Sequence, residues 1–268
     1  MSKIIVLKLG GSVLSNLHPT FYSQIQHFIH QGKQIIVVHG GGPNLTETLR
    51  RLQISSQFVD GRRITDAHTL PVAKMVLAGS VNKDTVTQFH LNGIACIGLS
   101  GVDLAILQAN PISSELGFTG EINQVNRSAL ITLMNQNWVP IIASIGVDSE
   151  GQHYNINADE AAMRLAVALQ ADQLIFISNT DGIYTTDSHG KHPIKQITPL
   201  QIKQLQQEKI IHGGMIPKVQ AGVQALMNGV NTIHIVNGGL ENPLPDESQK
   251  LDKGTCMIQE EEEINVSF

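Results

Sequence analysis

Short runs rich in Val, Ile and Leu recur along the chain at residues 4–9, 34–39, 95–99, 139–143, 173–178 and 232–236. Runs that are apolar throughout, rather than alternating, are what strands covered on both faces of a parallel sheet require. Between them the spacing of apolar residues predicts helices over 20–31, 45–52, 68–78, 82–91, 128–135, 159–169, 199–207 and 218–227. The helix at 199 has the most explicit start: Thr198 can cap it, Pro199 takes its first position and Gln201 completes a capping box. Strands alternating with helices in this way predict an α/β fold. Turn residues with short alternating runs at 55–65, 101–124 and 146–156 predict hairpins beyond the main sheet, placed to cover a ligand. A lobe boundary without a linker is expected near residue 170, inside one domain spanning 1–268.

Composition narrows the class without naming a chemistry. Of 268 residues, 41% are apolar and 15% charged, the balance of an ordinary globular chain with a large core. A net charge of −5 disfavours nucleic acid or anionic membrane as the principal partner. Cys96 and Cys256 stand apart, with no Cys-x-x-Cys and no companion histidine motif, so neither a disulfide framework nor a structural zinc site is indicated. No secretory segment precedes the first strand and no apolar run is long enough to span a bilayer, so the expected location is the cytoplasm.

The candidate chemistry sits where strands end in glycine. Lys8-Leu9-Gly10-Gly11-Ser12 closes the first strand; its glycines permit a sharp turn and close backbone approach, and the amides that follow favour an anion such as phosphate. Lys8 ends an otherwise apolar strand, where its amine either reaches water or faces a partner. His39-Gly40-Gly41-Gly42-Pro43 repeats the arrangement after the second strand, and in a parallel sheet both turns face one crevice. As an esterase oxyanion loop it would need a Gly-x-Ser-x-Gly elbow, which is absent, as are the P-loop and Rossmann glycine signatures.

Tyr154-Asn155-Ile156-Asn157-Ala158-Asp159 leads into a helix. Asp159 reads as a helix cap or as an acid of the ligand site, and Asn155 and Asn157 place two amides on one face of an extended segment. Ser178-Asn179-Thr180-Asp181-Gly182-Ile183-Tyr184 is a strand end followed by a turn. Gly213-Gly214-Met215-Ile216-Pro217-Lys218 sets a lysine at a helix start, which is unfavourable unless an anion lies nearby or solvent screens it. Glycine turns, two misplaced lysines and one aspartate describe a phosphate site without a metal-ligand cluster. The segments at 189–192 and 260–263 read as a polar loop and a solvated acidic tail.

Lys-Leu-Gly-Gly-Ser at 8–12, His-Gly-Gly-Gly-Pro at 39–43, Gly-Arg-Arg-Ile-Thr at 61–65, Val-Asn-Lys at 81–83, Tyr-Asn-Ile-Asn-Ala-Asp at 154–159 and Gly-Gly-Met-Ile-Pro-Lys at 213–218 follow one another in an order that resembles the amino-acid kinase family over nearly the whole chain. The resemblance implies a three-layer α/β/α sandwich with a mainly parallel central sheet. It implies an acceptor-binding, dimerising lobe over about 1–170 and an ATP lobe over about 171–268. The implied reaction is phosphorylation of the γ-carboxylate of N-acetyl-L-glutamate by ATP, a step of arginine biosynthesis. The alternatives are a sibling kinase for N-acetylaminoadipate or a carrier-bound amino acid, and a non-catalytic sensor.

Carried over position by position, Lys8 and Lys218 stabilise the transferred phosphoryl group and Asp159 organises them. Gly41, Gly42, Arg63 and Asn155 hold the acceptor, Arg63 by a bidentate clasp on its α-carboxylate, while Arg62 is expected as a surface charge. Gly10, Gly11, Ser178, Asn179, Asp181, Gly182, Tyr184, Ile211, Gly213 and Met215 face the nucleotide. Mg2+ is expected to arrive with ATP, held by phosphates. Val102 and Leu104 stand where many relatives have lysine and glycine, and Met163-Arg164 where smaller residues are frequent. Since the first strand begins almost at residue 1, without the extra N-terminal helix of arginine-inhibited hexamers, the resemblance implies a homodimer that arginine does not inhibit.

Overall fold

The computed structural model describes residues 3–187, 190–245 and 253–259. The chain opens with β1 (Ile4–Leu9), α1 (Pro19–His30), β2 (Gln34–His39) and α2 (Gly42–Arg51), then a hairpin of β3 (Phe58–Val59) and β4 (Arg62–Arg63). Helix α3 (Thr69–Ala73) runs through a π-helical segment, Lys74–Val81, into α4 (Asn82–Leu91). Next come β5 (Cys96–Ser100), β6 (Leu107–Pro111), β7 (Thr119–Val125), α5 (Arg127–Met134), β8 (Val139–Ala143), β9 (Ile145–Val147), β10 (His153–Ile156) and α6 (Ala158–Leu169). The remainder is β11 (Gln173–Ser178), β12 (Tyr184–Asp187), β13 (Gly190–Pro193), β14 (Gln196–Ile197), α7 (Pro199–Gln207), α8 (Met215–Met227), β15 (Thr232–Asn237) and β16 (Thr255–Met257).

An eight-stranded sheet in the order β14-β16-β15-β11-β1-β2-β8-β5 forms the centre. Its pairings are parallel except for β15 with β16. Period-two alternation divides β1 between two cores. Ile5, Leu7 and Leu9 pack with Phe21, Ile25 and Phe28 of α1 and with Phe89 of α4. Ile4 and Val6 pack with Leu130 of α5, Leu165 of α6 and Val219 of α8. Helices therefore cover both faces, giving the expected α/β/α sandwich, and the same alternation turns Lys8 towards α6 and α8.

β1, β2, β8 and β11 have the predicted bounds, and α7 begins with the predicted capping box: Gln201 N donates to Thr198 Oγ1 and Thr198 N to Gln201 Oε1. The segments expected to form covering hairpins do more than cover. β6, β7, β9 and β10 close into a four-stranded barrel, in which β7 runs parallel to β10 although far from it in sequence. The predicted helix break after residue 78 is absent: π turns over Lys74–Val81 carry α3 into α4, with no proline at 79–81 to stop the helix. The strands β12, β13, β14 and β16 have no clear sequence signal. Of the segment 189–192 read as polar loop, residues 190–192 belong to β13, whereas residues 188–189 and the acidic run at 260–263 lie outside the described residues. Among the described residues, no helix is long and apolar enough to cross a membrane.

Candidate active site

β1, β2 and β11 are neighbours, so the turns that follow them, at Gly10, Gly40 and Asn179, emerge at one edge of the sheet. The two glycine turns touch: a Cβ on Gly11 would stand 2.9 Å from Gly41 Cα and 3.2 Å from Gly41 N. The N-termini of α2, α6 and α8 open onto the same edge. Those of α2 and α8 begin at Gly41 and Gly214 without a side-chain cap, which leaves first-turn amides to an anion.

Lys8, Asp159 and Lys218 meet at the centre of this edge. Lys8 Nζ lies 2.8 Å from Asp159 Oδ1, and Lys218 Nζ lies 3.3 and 3.4 Å from the two Asp159 oxygens. Lys8 is only 7% exposed, so it does not reach for water. Asp159 is not the helix cap. Asn157 takes that role, accepting from Asp159 N and Glu160 N, and so frees the Asp159 carboxylate for the lysines. The unfavourable lysine at the start of α8 thus has its anion within the protein. Burial alone would raise the Asp159 pKa, but Lys8 and Lys218 outweigh it and hold the carboxyl below its usual range. Burial, and then repulsion by Lys8, lowers the Lys218 pKa; the attraction of Asp159 opposes both.

Two cavities meet at this cluster. The smaller, about 190 Å³, is lined by Gly41, Gly42, Arg63 and Asn155, all four predicted acceptor residues, together with Lys8 and Asp159. The larger, about 860 Å³, is lined by Gly10, Gly11, Ser178, Asn179, Gly182, Tyr184, Ile211, Gly213, Met215 and Lys218. Lys8, Gly11, Gly61, Asn157 and Asp159 line both. Asp181, expected on the nucleotide side, does not line the larger cavity. Its carboxylate accepts from the Tyr184 hydroxyl at 2.8 Å and from Asn237 Nδ2 at 2.7 Å, which orients Tyr184 instead.

Arg63 is buried in the smaller pocket, with Nη2 donating to Thr46 Oγ1 at 2.7 Å, Nη1 to Ser56 Oγ and the guanidinium 4.5 Å from the Phe58 ring. Burial lowers its pKa from a very high starting value, so it remains a cation. Asn155 Nδ2 donates to Thr65 Oγ1 at 3.1 Å. Behind the glycine turn, His39 Nδ1 is 2.8 Å from Gly40 O while Nε2 is 3.0 Å from Asn82 Nδ2. A neutral ring donating from Nδ1 and accepting at Nε2 satisfies both contacts, and burial pushes the His39 pKa down to about 4.

Sequence reasoning missed several of these participants. Asn157, read only as one of two amides on an extended face, is the N-cap that its place two residues before Asp159 signals, and Asp60-Gly61 is a hairpin-turn signal that places Gly61. Phe58, Thr119 and Ser144 also line the smaller pocket, and no local pattern marks them. Asn82 belongs to the quoted Val-Asn-Lys segment, but only the fold shows it bracing His39. Arg62, expected as a surface charge, has a side chain 39% exposed and forms an ion pair with Glu160 at 3.3 Å.

Comparison with known proteins agrees with this geometry. Residues 3–237 match the profile of the amino acid kinase family. An acetylglutamate kinase of Geobacillus sp. (strain WCH70) is 45% identical over 239 residues, covering 89% of this chain and 91% of the relative. Another, from Gloeobacter violaceus, is 41% identical over 243 residues, covering 88% and 80%. In three dimensions the crystal structure of smu.665 from Streptococcus mutans UA159 superposes with a TM-score of 0.85 at 28% identity, covering 96% of this chain and 99% of that one. A carbamate kinase from Giardia lamblia shares the fold, with a TM-score of 0.65 at 15% identity over 97% and 99% of the two chains. The chain belongs to the amino acid kinase family.

Proposed function

We propose that the chain transfers the γ-phosphoryl group of ATP to the γ-carboxylate of N-acetyl-L-glutamate, forming N-acetyl-L-glutamyl 5-phosphate and ADP in arginine biosynthesis. The observation that carries this reading is the buried Lys8–Asp159–Lys218 cluster where an acceptor-sized pocket opens into a nucleotide-sized cavity. The names of the similar chains, acetylglutamate kinases, supply the acceptor.

A carboxylate is ionised at pH 7, so the attacking oxygen needs no general base. Catalysis then rests on alignment and on neutralising the charge of the transferred group. Lys8 faces both cavities and meets that group from the acceptor side; Lys218 meets it from the nucleotide side. Asp159 keeps the two ammonium groups aimed at one point. The uncapped starts of α2 and α8 add backbone donors. Arg63 and Asn155 orient the acceptor, Arg63 through its α-carboxylate.

The donor set at the junction is cationic, with both Asp159 oxygens engaged by lysine, so Mg2+ fits as a companion of ATP rather than a resident of the protein. Among the described residues, no three His, Cys, Asp or Glu converge on one point. When bound, the ion neutralises phosphate charge. The sheet supports a lobe boundary between β1 and β11: strands before residue 170 occupy one half, those after it the other. The edge strand β5 in the first half offers a surface for the expected homodimer, working in the cytoplasm.

The test is trapping of acyl phosphate by hydroxylamine with ATP and Mg2+, run with N-acetyl-L-glutamate, N-acetylaminoadipate, glutamate and aspartate. Hydroxamate from N-acetyl-L-glutamate above all others is the expected result. Preference for another acceptor would reassign the substrate, and no product from any would leave a sensor.

A further inference from the structure

The β3–β4 hairpin stands apart from both the main sheet and the barrel as its own two-stranded unit. Its base is secured, since Thr119 Oγ1 donates to Arg63 O at 2.5 Å and Thr65 N donates to Leu116 O at 3.1 Å. Its tip is built differently. Asp60 (φ 48°) and Gly61 (φ 76°) form a two-residue turn in the left-handed region, and Phe58 and Val59 are exposed. Gly61 lines both cavities, and a Cβ added there would stand 3.9 Å from Pro217 Cγ in the first turn of α8. The tip therefore lies across the junction where phosphoryl transfer takes place.

Strand alternation sends Arg62 and Arg63 to opposite sides of the hairpin. Arg63 bonds to the start of α2, at Gly42 O and Thr46 Oγ1, whereas Arg62 Nη2 reaches Glu160 Oε2 at 3.3 Å in the first turn of α6. Among the described residues, the Arg62–Glu160 pair is the one hydrogen bond that ties the tip beyond Arg63 to another element. The Glu160 side chain is 14% exposed and its backbone N–H is held by the Asn157 cap, so the far end of the tie is fixed. Glu160 also follows Asp159 directly, which links the tie to the carboxylate that organises both lysines.

We propose that Arg62 and Glu160 are a positioning pair: their ion pair holds the hairpin tip over the transfer junction, keeping water from the γ-phosphorus and Arg63 in register with the acceptor. This rests on the kinase reading above. With the tie cut, the oxygen of a water molecule attacks the γ-phosphorus in place of the acceptor carboxylate. The bond from that phosphorus to the bridging oxygen of ADP breaks, phosphate and ADP leave, and the water proton passes to solvent. Sequestration of this kind is how a phosphoryl-transfer site favours its acceptor over solvent.

The experiment compares wild type with Arg62→Gln, Glu160→Gln and the exchanged pair Arg62→Glu/Glu160→Arg. Three quantities are read: ADP released per hydroxamate trapped, KM for N-acetyl-L-glutamate, and amide hydrogen exchange over residues 58–63 in the free protein. Each single variant is expected to raise the ADP-to-hydroxamate ratio and KM by about fivefold, the scale of a partly exposed ion pair. Each is also expected to speed exchange at the tip, and the exchanged pair to recover all three. An unchanged ratio and unchanged exchange in both single variants overturn the proposal, as does an exchanged pair no better than the single variants. If wild type yields no hydroxamate from any acceptor, the kinase reading has failed; the tie itself is then decided by exchange alone.

Discussion

Lys8 Nζ stands 2.8 Å from Asp159 Oδ1, and each of the two side chains is only 9% exposed. A carboxylate in that position holds in place two ammonium groups that would otherwise repel each other in a dry site. Asp159→Asn is expected to abolish turnover and to destabilise the fold by about 3–5 kcal/mol, the scale of breaking a buried ion pair by removing one partner. Lys8→Met and Lys218→Met, with native circular dichroism, are expected to lower kcat by ~10²–10³, the loss for one preorganised donor. Near-normal turnover in either lysine variant would remove that lysine from the mechanism. In urea titrations, Lys8→Met combined with Asp159→Asn should be more stable than Asp159→Asn alone, because one of two uncompensated cations is gone.

Arg63 Nη2 donates to Thr46 Oγ1 at 2.7 Å, which sets the plane of its guanidinium in the acceptor pocket. Arg63→Lys keeps the charge and loses the planar fork. KM for the acceptor should rise by about 10- to 100-fold, the worth of a charge-assisted hydrogen bond, with KM for ATP little changed. Initial-rate kinetics over both substrates decide this, and an equal rise in both constants would mean a general disturbance of the site.

Gly11 packs against backbone, with Gly41 Cα 2.9 Å from where its Cβ would be. Gly11→Ala must separate the two glycine turns by a few tenths of an ångström or more. Turnover is expected to fall at least tenfold, the order of effect produced by small misalignments of reacting groups. Steady-state rates on a variant with unchanged thermal midpoint give the check.

His39 and His234 are each pushed down to about 4 by burial. Both fold as neutral rings, whereas the unfolded chain takes up their protons below about pH 6.5. Their contribution to stability is therefore complete above pH 6.5 and is lost as pH falls towards 4, at about 1.4 kcal/mol per pH unit for each histidine. Urea unfolding at pH 7.5, 6.0 and 5.0 should show this slope, and His234→Leu should flatten it by one proton. A slope unchanged in that variant would sink the assignment to His234.

Leu104 adopts φ 53° and ψ 22° and is 64% exposed, at the position where relatives were expected to carry glycine. A leucine held in the left-handed region costs about 1–2 kcal/mol, and glycine removes that strain while adding freedom to the unfolded chain. Leu104→Gly should raise the thermal midpoint by about 2 °C, on the scale that a gain below 1 kcal/mol has in a chain of this size. A lower midpoint would mean that Leu104 makes a packing contribution larger than its strain.

Much of the frame was legible because it depends on local chemistry. The apolar runs that became β1, β2, β8 and β11 were readable to the residue, since a strand buried on both faces admits little else. The start of α7 was readable because its capping box is a contact among neighbours. Illegible were β14 and β16, two and three residues long, whose ladder partners lie far along the chain. The barrel of β6, β7, β9 and β10 was half seen: the turns were visible, but nothing in the turns says that β7 will find β10.

The sequence by itself marked the residues proposed to carry the chemistry: glycine turns after β1 and β2, lysines where lysines are out of place, and an aspartate at the head of α6. The turns and the lysines are conspicuous against a local rule of conformation, burial or helix charge, whereas the aspartate obeys one, since acids favour a helix start. Only the tertiary structure decided how they act on one another. It gave the helix cap to Asn157 and released Asp159 to the lysines, turned Asp181 from the cavity to Tyr184, and joined Arg62 to Glu160. A local rule can mark a residue as misplaced, but its partner depends on which elements pack together, and packing is a property of the whole chain.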